Sequence, residues 1–150
     1  MTMPNKLQSV FKQNGGIVTT EQANEAGVSN ERLRLLVHSG ELERVTTGVY
    51  ILPDIFVDKM YIYQLRRSKI IYSCETALFL HGLTDFDPIS YMVTVPTGYN
   101  PTRLQQDGFT AFTIKRDLHE IGVIKITTMF GNSVTAYDME RTICDCLRIP

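Results

Sequence analysis

The sequence predicts an α+β protein, with an N-terminal winged helix-turn-helix followed by a small α+β domain that contains a mixed sheet. Two observations predict this fold class. Residues 5–52 contain three short segments with helical spacing and then two β-rich runs, which is the element order of a winged helix-turn-helix. Residues 70–129 contain several short β-rich runs and one helical segment, which is typical of an α+β domain. We therefore expect two domains, residues 1–52 and 53–150.

The first two predicted helices are short. Leu7 and Phe11, four residues apart, place apolar side chains on one face of a helix over Asn5–Gln13, and two glycines end it. The pair Thr19-Thr20 can cap a second helix, which ends at Gly27.

The third predicted helix, Asn30–His38, is the candidate recognition helix. Ser29 precedes it and can accept a hydrogen bond from its first amides. Its apolar side chains cluster on one face, so that the opposite face carries Glu31, Arg34, Leu35 and His38, with Arg32 on the flank. Arg34 is the best candidate for reading a base, because its planar guanidinium matches the O6 and N7 acceptors of guanine.

A predicted hairpin follows the third helix and would form the wing. β-Rich runs at residues 42–45 and 49–52 flank Thr46-Thr47-Gly48. Arginine and threonine side chains in this hairpin can contact phosphate oxygens, which places a protein on DNA without reading sequence. The full set of candidate DNA contacts is Asn30, Arg32, Arg34, His38, Arg44, Thr46 and Thr47.

Charge limits how this surface could bind DNA. The chain has a formal net charge of -1, and residues 1–52 contain five Lys or Arg and five Glu. Binding through bulk electrostatics is therefore excluded, and any DNA contact must come from a local patch. A solvated helix face, or a contact surface for another protein, is the alternative interpretation of the same residues.

The predicted second domain begins with a linker helix over residues 55–67. Ser73 is expected to cap a helix that runs to Leu80, and a last helix is expected over residues 139–147. The predicted strands are residues 70–72, 91–95, 109–114 and 122–129.

No catalytic or metal site is predicted. Ser73 and His81 are close in sequence, but no glycine loop of the oxyanion type accompanies them. The three cysteines lack metal-ligand spacing and are expected to be free, buried thiols. Arg141 and Asp145, four apart on the last helix, can form a structural ion pair. We expect no cofactor and no enzyme activity.

The N-terminus does not resemble a signal peptide, and no run approaches the roughly 20 apolar residues of a membrane span. The sequence therefore predicts a cytoplasmic protein without a membrane partner.

Several sequence blocks resemble AbiEi-type abortive-infection antitoxins. Residues 15–52 resemble the family's N-terminal domain, with Val-Ser before the recognition helix and GELERV before Gly-Val-Tyr. Three later blocks follow in family order: SCETAL with HGLT from Ser73, VTVP from Val93, and AYDMERTICD from Ala136. The chain departs from the family in a less basic recognition helix and wing, and in Cys74, where a histidine is frequent.

The resemblance implies a DNA-binding repressor of its own toxin-antitoxin operon. It also implies that the second domain counters a nucleotidyltransferase-like toxin of a type IV, phage-defence system, in some systems without a stable complex. The family's C-terminal domain usually continues past a position like Leu147, so a shortened C-terminal domain is expected. Two alternatives stay open: an enzyme that acts on nucleotides or RNA and is targeted by the winged domain, and a pure interaction module.

Overall fold

The N-terminal part of the chain folds into helices around a three-stranded sheet. The computed structural model describes residues 3–148 and divides into two compact units, Met1–Arg66 and Arg67–Pro150. The elements of the N-terminal unit are, in chain order, α1 (Asn5–Gln13), β1 (Ile17–Thr19), α2 (Thr20–Glu25), α3 (Asn30–His38), β2 (Glu43–Thr46), β3 (Val49–Ile51) and α4 (Lys59–Arg66).

The first six of these elements form a winged helix-turn-helix. The helices α1 and α3 have the predicted bounds, and the hairpin of β2 and β3 forms where it is expected. Strand β1 is an addition, because it pairs antiparallel with β3, with Ile17 opposite Ile51, and the sheet order is β1-β3-β2. A three-residue segment is too short to reveal alternation, so the sequence did not predict this strand.

The core of the N-terminal unit lies between α1 and α3. Leu7 and Phe11 of α1 and Leu33 and Leu36 of α3 are at most 1% exposed, and Val18 of β1 is fully buried. Complete burial of one such side chain stabilises the fold by roughly 1.5–3 kcal/mol. The buried side of α3 is therefore fixed against the core, and its opposite side faces outward.

Helix α4 belongs to the N-terminal unit and is not a linker. Its Ile62 is fully buried against Val49 and Ile51 of β3, which explains why the units divide after Arg66 and not after residue 52. The helix begins at Lys59, later than the predicted residue 55.

The second unit is built on a five-stranded mixed sheet of order β6-β5-β4-β8-β7. Strand β4 pairs antiparallel with β5 and parallel with β8, which confirms the prediction of a mixed sheet. The elements are β4 (Ile71–Tyr72), α5 (Cys74–Leu80), β5 (Met92–Pro96), α6 (Thr102–Gln106), β6 (Thr110–Ile114), α7 (Arg116–His119), β7 (Val123–Thr127), β8 (Ser133–Tyr137) and α8 (Met139–Arg148).

The structure corrects one expectation about the second unit and adds three elements to it. Ser73 does not cap α5 with its side chain, because its hydroxyl is buried and accepts a hydrogen bond from the Thr94 hydroxyl at 2.9 Å. Strand β8 and the helices α6 and α7 were not predicted. The two helices have only five and four residues, too few to show a helical period.

The predicted ion pair of the last helix forms. Arg141 Nε lies 3.1 Å from a carboxylate oxygen of Asp145, which is nearly buried. The Arg141 guanidinium also donates to the carbonyl oxygens of Leu118 and Ile121 at 3.0 and 2.7 Å and lies over the Tyr137 ring. Arg141 therefore anchors α8 to α7 and to the turn that follows it. Among residues 3–148 no helix is long and apolar enough to cross a bilayer.

Candidate nucleic-acid interface

Two capped helices and a tight connection position the candidate recognition helix. Thr19 accepts a hydrogen bond from the amide of Gln22 at 3.3 Å, and the Gln22 side chain accepts one from the amide of Thr19 at 3.0 Å. This capping box fixes the start of α2. Gly27 then adopts a φ of +84°, which favours glycine, and Ser29 accepts from the amide of Arg32 at 3.2 Å to begin α3.

The outward side of α3 carries the predicted contact residues. Asn30, Arg32, Arg34 and His38 are all exposed. Arg34 and His38 are four residues apart and therefore project from the same side, away from the buried leucines. All four helix candidates are thus exposed, with Arg34 and His38 on the outward side and Arg32 on its flank.

Arg34 has an acidic neighbour. Its guanidinium lies 3.8 Å from Glu31, and both side chains are more than three-quarters exposed. A pair this exposed contributes only about 0–1 kcal/mol, so a stronger partner for the guanidinium can displace it. A carboxylate on this surface can itself accept a hydrogen bond from the N4 amino group of cytosine.

The wing is a short hairpin with a two-residue loop, Thr47-Gly48. Thr46 pairs with Val49 across the hairpin, and Gly48 has a φ of +76°. The Arg44 guanidinium donates to the Thr47 hydroxyl at 3.2 Å, and both residues are exposed, whereas Thr46 is half-buried. Arg44 and Thr47 are therefore the wing residues with the best access to a phosphate.

Sequence reasoning missed a residue that holds the wing in place. The Arg66 guanidinium donates to both carboxylate oxygens of Glu21 at 3.0 Å and to the Gly48 carbonyl at 3.4 Å. The Gly48 carbonyl also accepts from the Thr20 amide at 2.9 Å. These bonds tie the wing tip to the start of α2. The basic end of α4 was visible in the sequence, but a partner 45 residues away was not.

Ser73 and His81 do not form a catalytic pair. The buried Ser73 hydroxyl is bonded to Thr94, and His81 Nε2 lies 2.8 Å from the Tyr137 carbonyl, so both groups serve local packing. Among residues 3–148 no group of three or more His, Cys, Asp or Glu side chains is placed to hold a metal ion.

The cysteines of the second unit are free thiols with contrasting exposure. Cys74 and Tyr137 lie in the interior. Burial, together with the nearby Cys146, raises the pKa of the Cys74 thiol to about 11. Burial also raises the pKa of the Tyr137 hydroxyl to about 12. A thiol with such a pKa stays protonated at neutral pH and is a poor nucleophile. Cys144 is exposed and Cys146 is half-buried, so the expectation of buried thiols holds for Cys74 alone among these three residues.

Comparison with known proteins bears on the N-terminal unit most directly. Residues 5–53 match the family model described as "Transcriptional regulator, AbiEi antitoxin". The match runs from α1 to the end of the wing and confirms the resemblance seen in the sequence. The family so described is regulatory.

This chain is also similar to a solved structure and, over a short stretch, to a viral polyprotein. The fold is similar to the RV2827C protein from Mycobacterium tuberculosis, with a TM-score of 0.55 and 15% identity over 76% of this chain. A 53-residue stretch, 35% of this chain, is 36% identical to part of the genome polyprotein of Theiler's murine encephalomyelitis virus (strain DA). This chain spans 46% of the mycobacterial chain and 2% of the viral polyprotein, so the first similarity concerns the fold and the second a short segment.

Proposed function

We propose that this protein is an antitoxin of an AbiE-like toxin-antitoxin system and represses its own operon by binding the promoter DNA in the cytoplasm. One observation carries the DNA-binding part. Arg34 and His38 project one turn apart from the exposed side of α3, directly opposite the fully buried Leu33 and Leu36. A helix held in this way can lie in the major groove with its polar side toward the bases.

The candidate residues have different roles in this proposal. Arg34 reads a guanine, and Asn30, Arg32 and His38 contact neighbouring groups in the groove. Arg44 and Thr47, bonded to each other at the wing tip, contact phosphates, and Thr46 supports them from the strand. The clamp of Arg66 on Glu21 and Gly48 keeps the wing at a fixed place relative to α2.

The balanced charge of the N-terminal unit shapes the expected affinity. Residues 1–52 contain equal numbers of basic and acidic side chains, so binding to random DNA has little electrostatic support. The proposal therefore requires base contacts and a modest number of phosphate contacts. We expect a shallow dependence of affinity on salt, with each phosphate contact contributing about 0.9 to the slope.

The first test is fluorescence anisotropy with the full chain. The labelled probes are a duplex from upstream of the gene and a scrambled duplex of the same composition, each measured over a salt series. Preferential binding to the upstream duplex supports the repressor proposal. Equal binding to both duplexes, or no binding at low salt, refutes it.

The second unit is proposed to counter a nucleotidyltransferase-like toxin. The AbiEi family description and the sequence blocks after residue 73 support this part. Its test is co-expression in bacteria of this chain with the product of a neighbouring nucleotidyltransferase-like gene. Growth restored by the full chain supports neutralisation, and continued growth arrest at equal antitoxin level contradicts it. A co-purification from the same cells then distinguishes a stable complex from neutralisation without one.

A further inference from the structure

The second unit contains a cleft that the proposed function does not use. Its volume is about 740 Å³, within the range of roughly 300–1,000 Å³ that is usual for small-molecule sites. Segments distant in the sequence meet there: Lys69 before β4, the turn Pro96–Tyr99 after β5, and α7 with Glu120. The candidate DNA contacts all lie in the other unit and contribute nothing to it.

Two cations line this cleft without an acidic partner. Lys69 and Arg116 are exposed and form no ion pair within residues 3–148. Arg116 Nε donates to the Thr97 carbonyl at 2.9 Å, which fixes the guanidinium and leaves its two terminal amino groups for a ligand. A guanidinium held in this way presents paired donors, which suit the oxygens of a phosphate.

The turn after β5 is shaped around that guanidinium. Gly98 has a φ of +97°, and a Cβ at this position would lie 2.7 Å from a terminal nitrogen of Arg116. A side chain at position 98 would have to displace the end of the Arg116 side chain, and the φ of +97° itself favours glycine. The hydrogen bond to Thr97 holds the arginine beside this turn, which lowers the entropic cost of binding a ligand.

The other residues that line the cleft suit a ligand larger than a single anion. Glu120 adds a carboxylate, which repels phosphate but accepts hydrogen bonds from sugar hydroxyls or amino groups. Tyr99 offers an aromatic ring, and Ile71 and Val123 add apolar surface. A molecule that joins a phosphate to a hydroxylated sugar and a planar base would match this lining. The cations suit the phosphate, the carboxylate suits the sugar or base, and the aromatic ring and apolar side chains suit the planar group.

We infer that this cleft binds a nucleotide. Arg116 and Lys69 contact its phosphate, Glu120 accepts from its sugar or base, and the apolar wall contacts the planar group. None of the candidate DNA contacts lines this cleft, so its occupancy can be tested independently of repression.

The test is a titration of the ¹⁵N-labelled full chain with AMP, and separately with inorganic phosphate, followed by amide chemical shifts. We expect saturable shifts at Gly98, Tyr99 and Glu120 with AMP, and weaker binding of inorganic phosphate. Lys69→Gln should weaken AMP binding by roughly threefold to tenfold, the effect of losing one partly exposed charge contact.

The matched control is Lys59→Gln, which removes the same charge from an exposed position on α4 in the other unit. It should leave AMP binding unchanged. Three results would overturn the inference: no saturable shifts at the cleft, inorganic phosphate bound as tightly as AMP, or equal losses for the two lysine variants.

Discussion

Replacing Arg34 by alanine tests the proposed base contact most directly. The Arg34 side chain is 78% exposed, and its ion pair with Glu31 at 3.8 Å contributes no more than about 1 kcal/mol. Alanine is also a good helix former, so the free energy of unfolding should change by less than about 0.5 kcal/mol. A bidentate contact with guanine, in contrast, supplies about 1–3 kcal/mol of discrimination. Affinity for the upstream duplex should therefore fall by about 5-fold to 150-fold while stability is retained.

The assay is anisotropy with the upstream and scrambled duplexes at one fixed salt concentration, together with urea unfolding of each variant. Arg103→Ala is the matched control, because it removes the same charge from an exposed position on α6 in the other unit. The Arg34 variant should lose affinity for the upstream duplex far more than for the scrambled one, and the control should lose neither. Equal losses on both duplexes, or an equal loss for Arg103→Ala, would refute the assignment of base reading to Arg34.

Four further results are expected. Arg44→Ala should weaken upstream and scrambled duplexes alike and reduce the salt slope by about 1, and a loss confined to the upstream duplex would instead make Arg44 a base contact. Thr19→Ala removes one half of the capping box and should lower the free energy of unfolding in urea by about 1 kcal/mol, whereas an unchanged unfolding midpoint would contradict the role of that cap. Asp145→Ala leaves a nearly buried arginine without its carboxylate and should destabilise the protein by about 3–5 kcal/mol, so a thermal midpoint equal to that of the parent protein would show the pair to be dispensable. At pH 8, iodoacetamide should modify the exposed Cys144 well before Cys74, whose pKa of about 11 keeps it protonated, and mass mapping that finds Cys74 alkylated first would disprove this order.

Local signals in the sequence were enough to predict the winged helix-turn-helix. Helix α3 has the predicted bounds because Ser29 caps it and apolar side chains recur at helical spacing. The exposure of Arg34 and His38 followed from the same spacing, since burying one side of a helix turns the other outward. The pair of Arg141 and Asp145 was predictable because its members lie four apart on one helix.

Contacts between distant residues were not predictable in this way. Ser73 precedes a helix, and serine is a common N-cap residue. Its hydroxyl instead accepts a hydrogen bond from Thr94, 21 residues later. Tertiary context decides between these two partners. Helix α4 follows the predicted hairpin and was therefore expected to be a linker. Because Ile62 packs on β3, the helix belongs to the N-terminal unit, and the units divide after residue 66.

What the sequence determined by itself was therefore the helices and hairpin of the winged helix-turn-helix, the Ser29 cap and the outward side of α3, because each depends on residues within one or two turns of each other. The tertiary structure alone decided three other features: the clamp of Arg66 on Glu21 and Gly48, the order of the five-stranded sheet, and the cleft around Arg116. Each of these brings together side chains or strands separated by tens of residues. Chain periodicity carries no record of such partners, since they are selected by the packing of whole elements against each other.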